Sequence, residues 1–90
     1  MMEKSTKSNQ SVERTFQIIE AMGEARRPVR LSELAQKTGL SARTVLRMVH
    51  TLVDLGYAFQ DQETLQYGLT LQFARIGSLA SNGIGLRDFA

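Results

Sequence analysis

Arg43 and Arg47 stand four residues apart in a stretch, residues 41–55, where Val45, Met48, Val49 and Leu52 recur at helical spacing. At about 100° per residue those four apolar side chains share one side of a helix. Arg47, His50 and Asp54 fall on the opposite side, within about 40° of Arg43. A guanidinium is a planar fork of donors that fits the O6 and N7 acceptors of guanine two at a time. Ser41 and Thr44 add hydroxyls that can bind phosphate or base edges, and Ala42 is small enough to permit close approach. These residue types suit recognition of duplex DNA rather than bond-making.

Catalysis finds little support. His50 and Asp54 can touch across one helical turn, but no nucleophile stands beside them. The chain has one His and no Cys, and no carboxylate cluster accompanies the His, so neither a metal site nor a disulfide is expected. No glycine-rich phosphate loop is present, and no cofactor is expected.

The net charge is only +2, but it is unevenly placed. Residues 26–47 hold Arg26, Arg27, Arg30, Lys37, Arg43 and Arg47 against Glu33 alone, whereas the segments on either side are net acidic. A local basic patch on a near-neutral chain suggests a polyanion at one face. Ninety residues suit one domain with a modest core. No apolar run nears the roughly 18 residues that span a bilayer. Residues 1–10 are polar and lack the apolar stretch of a secretory signal, so a cytoplasmic protein is expected.

Several elements must position the arginines. Residues 1–10 read as a flexible tail. A helix over 11–24 follows, with Ser11 as N-cap, Glu13 in its first turn, and a wide apolar face of Val12, Phe16 and Ile19 beside Thr15, Ile18 and Met22. Pro28 ends it. Val29-Arg30-Leu31 alternates like a small strand. Ser32 can cap a second helix, which buries Leu34 and Ala35 and stops at Gly39. Ser41 caps the third helix, with Leu40 and Val45 as a hydrophobic staple, and Gly56 ends it. Residues 57–60 and 65–69 read as a hairpin around a four-residue turn, 61–64. Thr70 then caps a fourth helix, 71–82, ended by Gly83 and Gly85.

Ala35, Gly39 and Val45 are spaced as a helix-turn-helix requires. A small residue lets the helices cross closely, a glycine permits the sharp turn, and a branched residue fills the angle between them. The expected fold class is mainly α with a small β-hairpin, a winged helix-turn-helix. N-terminal residues of its second helix reach base edges.

The run LSELAQKTGLSARTVLRMVHTLVDLGYAFQDQETLQYGLTLQFARIGSLA, preceded by SVERTFQIIEAM, resembles the N-terminal domain of the IclR family of bacterial transcriptional regulators. The resemblance covers about residues 11–90. It implies operator DNA bound by a dimer, and a larger C-terminal domain that binds a small-molecule effector, often a metabolite acid. On this reading residues 11–82 are the DNA-binding domain and 83–90 begin a linker to that further domain. The family's threonine and arginine in the recognition helix match Thr44 and Arg47. Its glycines match Gly39 and Gly56, and its wing motif matches Tyr67-Gly68-Leu69. Three positions depart from it. Ser41 stands where proline is common, Ala42 where lysine is common, and Leu46 where histidine or tyrosine is common. Loss of that lysine removes one phosphate contact.

The wing tip carries Asp61 and Glu63 and no Lys or Arg, so phosphates would repel it. Gln60, Gln62, Thr64 and Gln66 can still hydrogen-bond to the backbone. The basic load then falls on Arg26, Arg27, Arg30 and Lys37, which would position the protein without reading sequence. For Arg26 and Arg27 the end of a solvated helix is an equal alternative. Leu71, Phe73, Ala74, Ile76, Leu79 and Ala80 cover more than one side of the fourth helix. They could pair helices one and four with a second subunit, pack on the further domain, or sit together in one core. The rival to DNA binding is a winged helix used as a protein–protein interaction module.

Overall fold

The computed structural model describes residues 9–84. Its elements in chain order are α1 (Gln10–Ala25), α2 (Leu31–Thr38), α3 (Ala42–Leu55), β1 (Ala58–Gln60), β2 (Tyr67–Leu69) and α4 (Gln72–Ile84). β1 and β2 pair antiparallel, with Phe59 opposite Gly68 and Gln60 opposite Tyr67. Three helices and a hairpin make the winged helix-turn-helix. Residues 1–8 of the expected tail, and the end of the expected linker with Gly85, lie outside the described residues.

The first helix begins earlier than Ser11. Asn9 is its cap, and its side-chain oxygen accepts from the N–H groups of Ser11 and Val12 at 3.0 and 3.3 Å. Ser11 lies inside the first turn, where its carbonyl takes the Thr15 hydroxyl. The buried strip of α1 is Ile18, Ala21 and Met22. Val12 and Phe16, placed in the apolar face by their spacing, are 52% and 54% exposed. The second helix starts at Leu31, so Ser32 does not cap it. Arg30 holds the cap position without a side-chain bond. Val29 is the only residue of the 29–31 alternation that pairs as a strand.

The core gathers Ile18, Ala21 and Met22 of α1, Val29, Leu34 of α2, Val45, Val49 and Leu52 of α3, and Ala58 and Tyr67 of the hairpin. Eight residues are too few for α2 to be stable as an isolated helix. Its fully buried Leu34 is what holds it, and truncating such a side chain to Ala typically costs about 2–5 kcal/mol.

Two backbone bonds join Val29 to Tyr67: Val29 N–H to Tyr67 O at 2.8 Å and Tyr67 N–H to Val29 O at 2.7 Å. They give β2 a second partner on its free edge. The hairpin loop is longer than the turn expected at 61–64 and runs over 61–66. Leu65 takes a left-handed conformation, φ 64°, which bends the chain before pairing resumes at Tyr67. The fourth helix starts at Gln72 and continues through Gly83 to Ile84. The Thr70 hydroxyl donates to the Gly56 carbonyl at 2.7 Å and accepts the Gln72 N–H at 3.3 Å, which ties the start of α4 to the end of α3. Phe73 stacks obliquely on Tyr57, ring centres 4.9 Å apart. Leu71, Ile76 and Leu79 remain 85%, 43% and 58% exposed, so the six apolar residues of this segment do not share one core.

Gly39 and Gly56 end α2 and α3 at φ 76° and 89°. At Gly56, Tyr57 N–H reaches Leu52 O at 2.8 Å and Gly56 N–H reaches Val53 O at 3.0 Å, the double bond pattern of a left-handed helix stop. A Cβ on Gly56 would meet nothing within 4 Å, so the cost of Gly56→Ala is purely conformational. We expect that substitution to lower the unfolding free energy in urea by about 1–2 kcal/mol. An unchanged midpoint would show that the stop tolerates a side chain.

Candidate nucleic-acid interface

The turn between α2 and α3 is built from side chains as well as from Gly39. Thr38 donates to Leu34 O at 2.7 Å, and its oxygen accepts Leu40 N–H at 3.3 Å. Gly39 N–H closes on Ala35 O at 2.9 Å. Ala35 is half-buried and Val45 is fully buried, as the close crossing of two helices requires. The turn leaves Ser41, Ala42 and Arg43 exposed at the start of α3.

On α3 the wheel is realised. Val45, Val49 and Leu52 are buried and Met48 is half-buried. Arg43, Arg47, His50 and Asp54 are exposed. Ser41 caps the helix by accepting Thr44 N–H at 3.2 Å. Its hydroxyl also donates to the Thr44 hydroxyl oxygen at 3.0 Å. That second bond holds the Thr44 hydroxyl beside the cap, where it keeps a lone pair for a further donor. The first-turn N–H groups of Ala42 and Arg43 have no intrahelical acceptor and sit at the positive end of the helix dipole.

The basic residues before α3 divide into two groups. Arg27 is engaged by Glu33, with guanidinium nitrogens 2.7 and 3.2 Å from the two carboxylate oxygens. Lys37 approaches the same carboxylate at 4.0 Å. The hydrogen bond from Arg27, more than the nearby charges, holds the Glu33 carboxyl below its ordinary value, and the same bond raises the Arg27 guanidinium. Arg26, Arg30, Arg43 and Arg47 have no carboxylate partner among the described residues. Arg26 caps the C-terminus of α1 in a left-handed conformation, and Arg30 precedes α2; both are exposed.

The wing's acidity has a local use. The Asp61 carboxylate accepts Glu63 N–H at 2.8 Å and Thr64 N–H at 3.1 Å. Those backbone bonds, led by Thr64, keep the Asp61 carboxyl below its usual range, so the tip stays negative. Gln60 and Gln62 spend their amide donors on the loop backbone, at Leu65 O and Gln60 O. One contact escaped sequence reasoning. The His50 ring nitrogen lies 3.2 Å from the Tyr67 hydroxyl, linking α3 to β2. The two residues are 17 apart, and only the hairpin's fold back onto α3 brings them together. No described helix is long and apolar enough to cross a membrane, and no group of three or more described His, Asp or Glu side chains could hold a metal ion.

Residues 11–62 match the family model of the IclR helix-turn-helix domain. The HTH-type transcriptional regulator KdgR of Dickeya chrysanthemi is 35% identical over 85 residues, covering 94% of this chain and 28% of that protein. KdgR of Escherichia coli K12 is also 35% identical over 85 residues, with 94% and 32% covered. Among solved structures, Pseudomonas aeruginosa HmgR superposes with a TM-score of 0.74 at 32% identity, over 84% of this chain and 31% of that one. An IclR family transcriptional regulator from Brucella abortus gives 0.78 at 27% identity, over 99% and 35%. The chain thus spans about a third of the length of the proteins it resembles.

The Arg27–Glu33 pair predicts a pH signature in stability. A carboxyl whose folded value is depressed contributes stability above its unfolded value and loses it as pH falls through the folded one. The thermal stability of the wild type relative to Glu33→Gln should therefore shrink as pH drops from about 5 to 3. A difference that stays flat over that range would show that the pair does not support the fold.

Proposed function

The chain belongs to the IclR family of helix-turn-helix transcriptional regulators, and from that premise we propose that it binds operator DNA by laying the N-terminal half of α3 in the major groove. The observation that carries this reading is the pair Arg43 and Arg47, exposed on the outward face of α3 and free of carboxylate partners among the described residues. In this reading Arg43, Thr44 and Arg47 face bases. The open N–H groups of Ala42 and Arg43, together with Ser41, hold a phosphate at the helix end. Arg26 and Arg30 position the protein on the backbone. Arg27 and Lys37 share that task at lower strength, because Glu33 already neutralises part of their charge.

The family reading extends to a symmetric dimer, a further domain that binds a small-molecule effector, and work in the cytoplasm. The exposed Val12 and Phe16 of α1, with Ile76 and Leu79 of α4, support dimerisation through helices one and four. Half-sites would then lie one helical turn apart, roughly 34–36 Å. Residues 11–82 would be the DNA-binding unit and residues 83–90 the start of the linker.

Selection from random duplex DNA tests the proposal. Recovered inverted repeats support a dimer reading DNA, and no enrichment would favour a protein-binding module. On a selected duplex, Arg43→Ala should cost about 1–3 kcal/mol and relax preference at one base pair. Equal loss on random DNA would reduce Arg43 to a phosphate contact. Arg30→Ala should weaken selected and random duplexes alike and lower the salt slope by about one. Leu79→Glu should shift the chain from dimer to monomer in sedimentation; an unchanged mass would remove α4 from the interface.

A further inference from the structure

Leu46 is the one large apolar side chain that α3 leaves exposed in its N-terminal half, at 36%. It lies between Arg43 and Arg47 in sequence and about 60° from Arg43 around the helix. His50 and Val53 continue the same stripe one and two turns later. Those two line the groove against Phe59, Gln60 and Tyr67 of the hairpin, and His50 is bonded to the Tyr67 hydroxyl. The hairpin therefore flanks the C-terminal part of the stripe, and Leu46 is not among the residues that line this groove. Its neighbour Val45 is fully buried, so the helix already has its core contact at this level. In this half of α3 its outward neighbours Arg43 and Arg47 are hydrogen-bond donors, and an apolar side chain between them is matched by an apolar partner.

The major groove offers one apolar group, the C5-methyl of thymine. Resting on the reading of α3 as the groove-binding helix, we propose that Leu46 is a specificity-determining residue that packs on a thymine methyl. Side chains three apart on a groove-bound helix read successive bases, as in zinc-finger helices. The thymine is therefore expected at the base pair next to the guanine that Arg43 reads.

Deoxyuridine in place of thymine removes only the methyl and keeps base pairing, so it isolates this contact. With a duplex that the chain selects from random DNA, each thymine is replaced in turn and binding is measured by titration. The wild type should lose about fourfold per half-site at one thymine beside the Arg43-dependent guanine, the worth of one buried methyl. Leu46→Ala should bind the thymine and deoxyuridine duplexes equally. Tolerance of deoxyuridine at every position, or the same fourfold loss in Leu46→Ala, would overturn the proposal while leaving DNA binding intact. Failure to select any duplex would instead overturn the groove-binding reading, and this inference with it.

Discussion

Tyr67 joins the parts of this fold that would otherwise be independent. Its backbone pairs with Val29 on one side and with β1 on the other, its side chain is buried at 3% exposure, and its hydroxyl meets His50 of α3. Two strands of three residues each are marginal in water without further support. The Val29 bridge supplies a third edge, drawn from the link between α1 and α2. The wing thereby depends on the segment that delivers α2, and the His50 contact ties it to α3 as well. Together with the Gly56 stop that leads α3 into β1, this junction sets the hairpin beside α3.

Charge is arranged around the same frame. The basic segment looks uniform in sequence, yet Glu33 draws Arg27 and Lys37 together and leaves Arg26, Arg30, Arg43 and Arg47 without carboxylate partners among the described residues. The usable positive charge is thus smaller than the residue count, and two of those four arginines, Arg43 and Arg47, sit on α3. The wing shows the opposite economy. Asp61 is committed to organising its own loop through two backbone N–H groups, so its charge is a consequence of the turn rather than a ligand for DNA.

Features decided within one turn of chain were legible in the sequence. Gly39 ends α2, and Ser41 and Gly56 bound α3, as their types require, and the buried face of α3 follows from spacing alone. Choices between equal local candidates were not. Asn9 and Ser11 are both good caps, and the helix takes the earlier one because Asn9 reaches two N–H groups from there. Ser32 loses to Arg30 because the chain turns helical as soon as Val29 has paired with Tyr67. Phe16 has the spacing of a core residue, but the surface facing it is not supplied by α2 or α3. The Arg27–Glu33 and His50–Tyr67 contacts depend on how elements are placed, which residue type does not encode locally.

Exposed apolar surface is heaviest in the α4 segment. Leu71, Ile76 and Leu79 belong to the α4 segment, Val12 and Phe16 to α1, Leu46 and Leu55 to α3, and Phe59 and Leu65 to the hairpin and its loop, whereas α2 contributes none. Among the described residues, α4 is fastened at its start, through Thr70 and the Tyr57–Phe73 stack. A helix with apolar side chains and a single anchored end gains little from its own domain. Burial against another surface would stabilise each such side chain by about 1.5–3 kcal/mol.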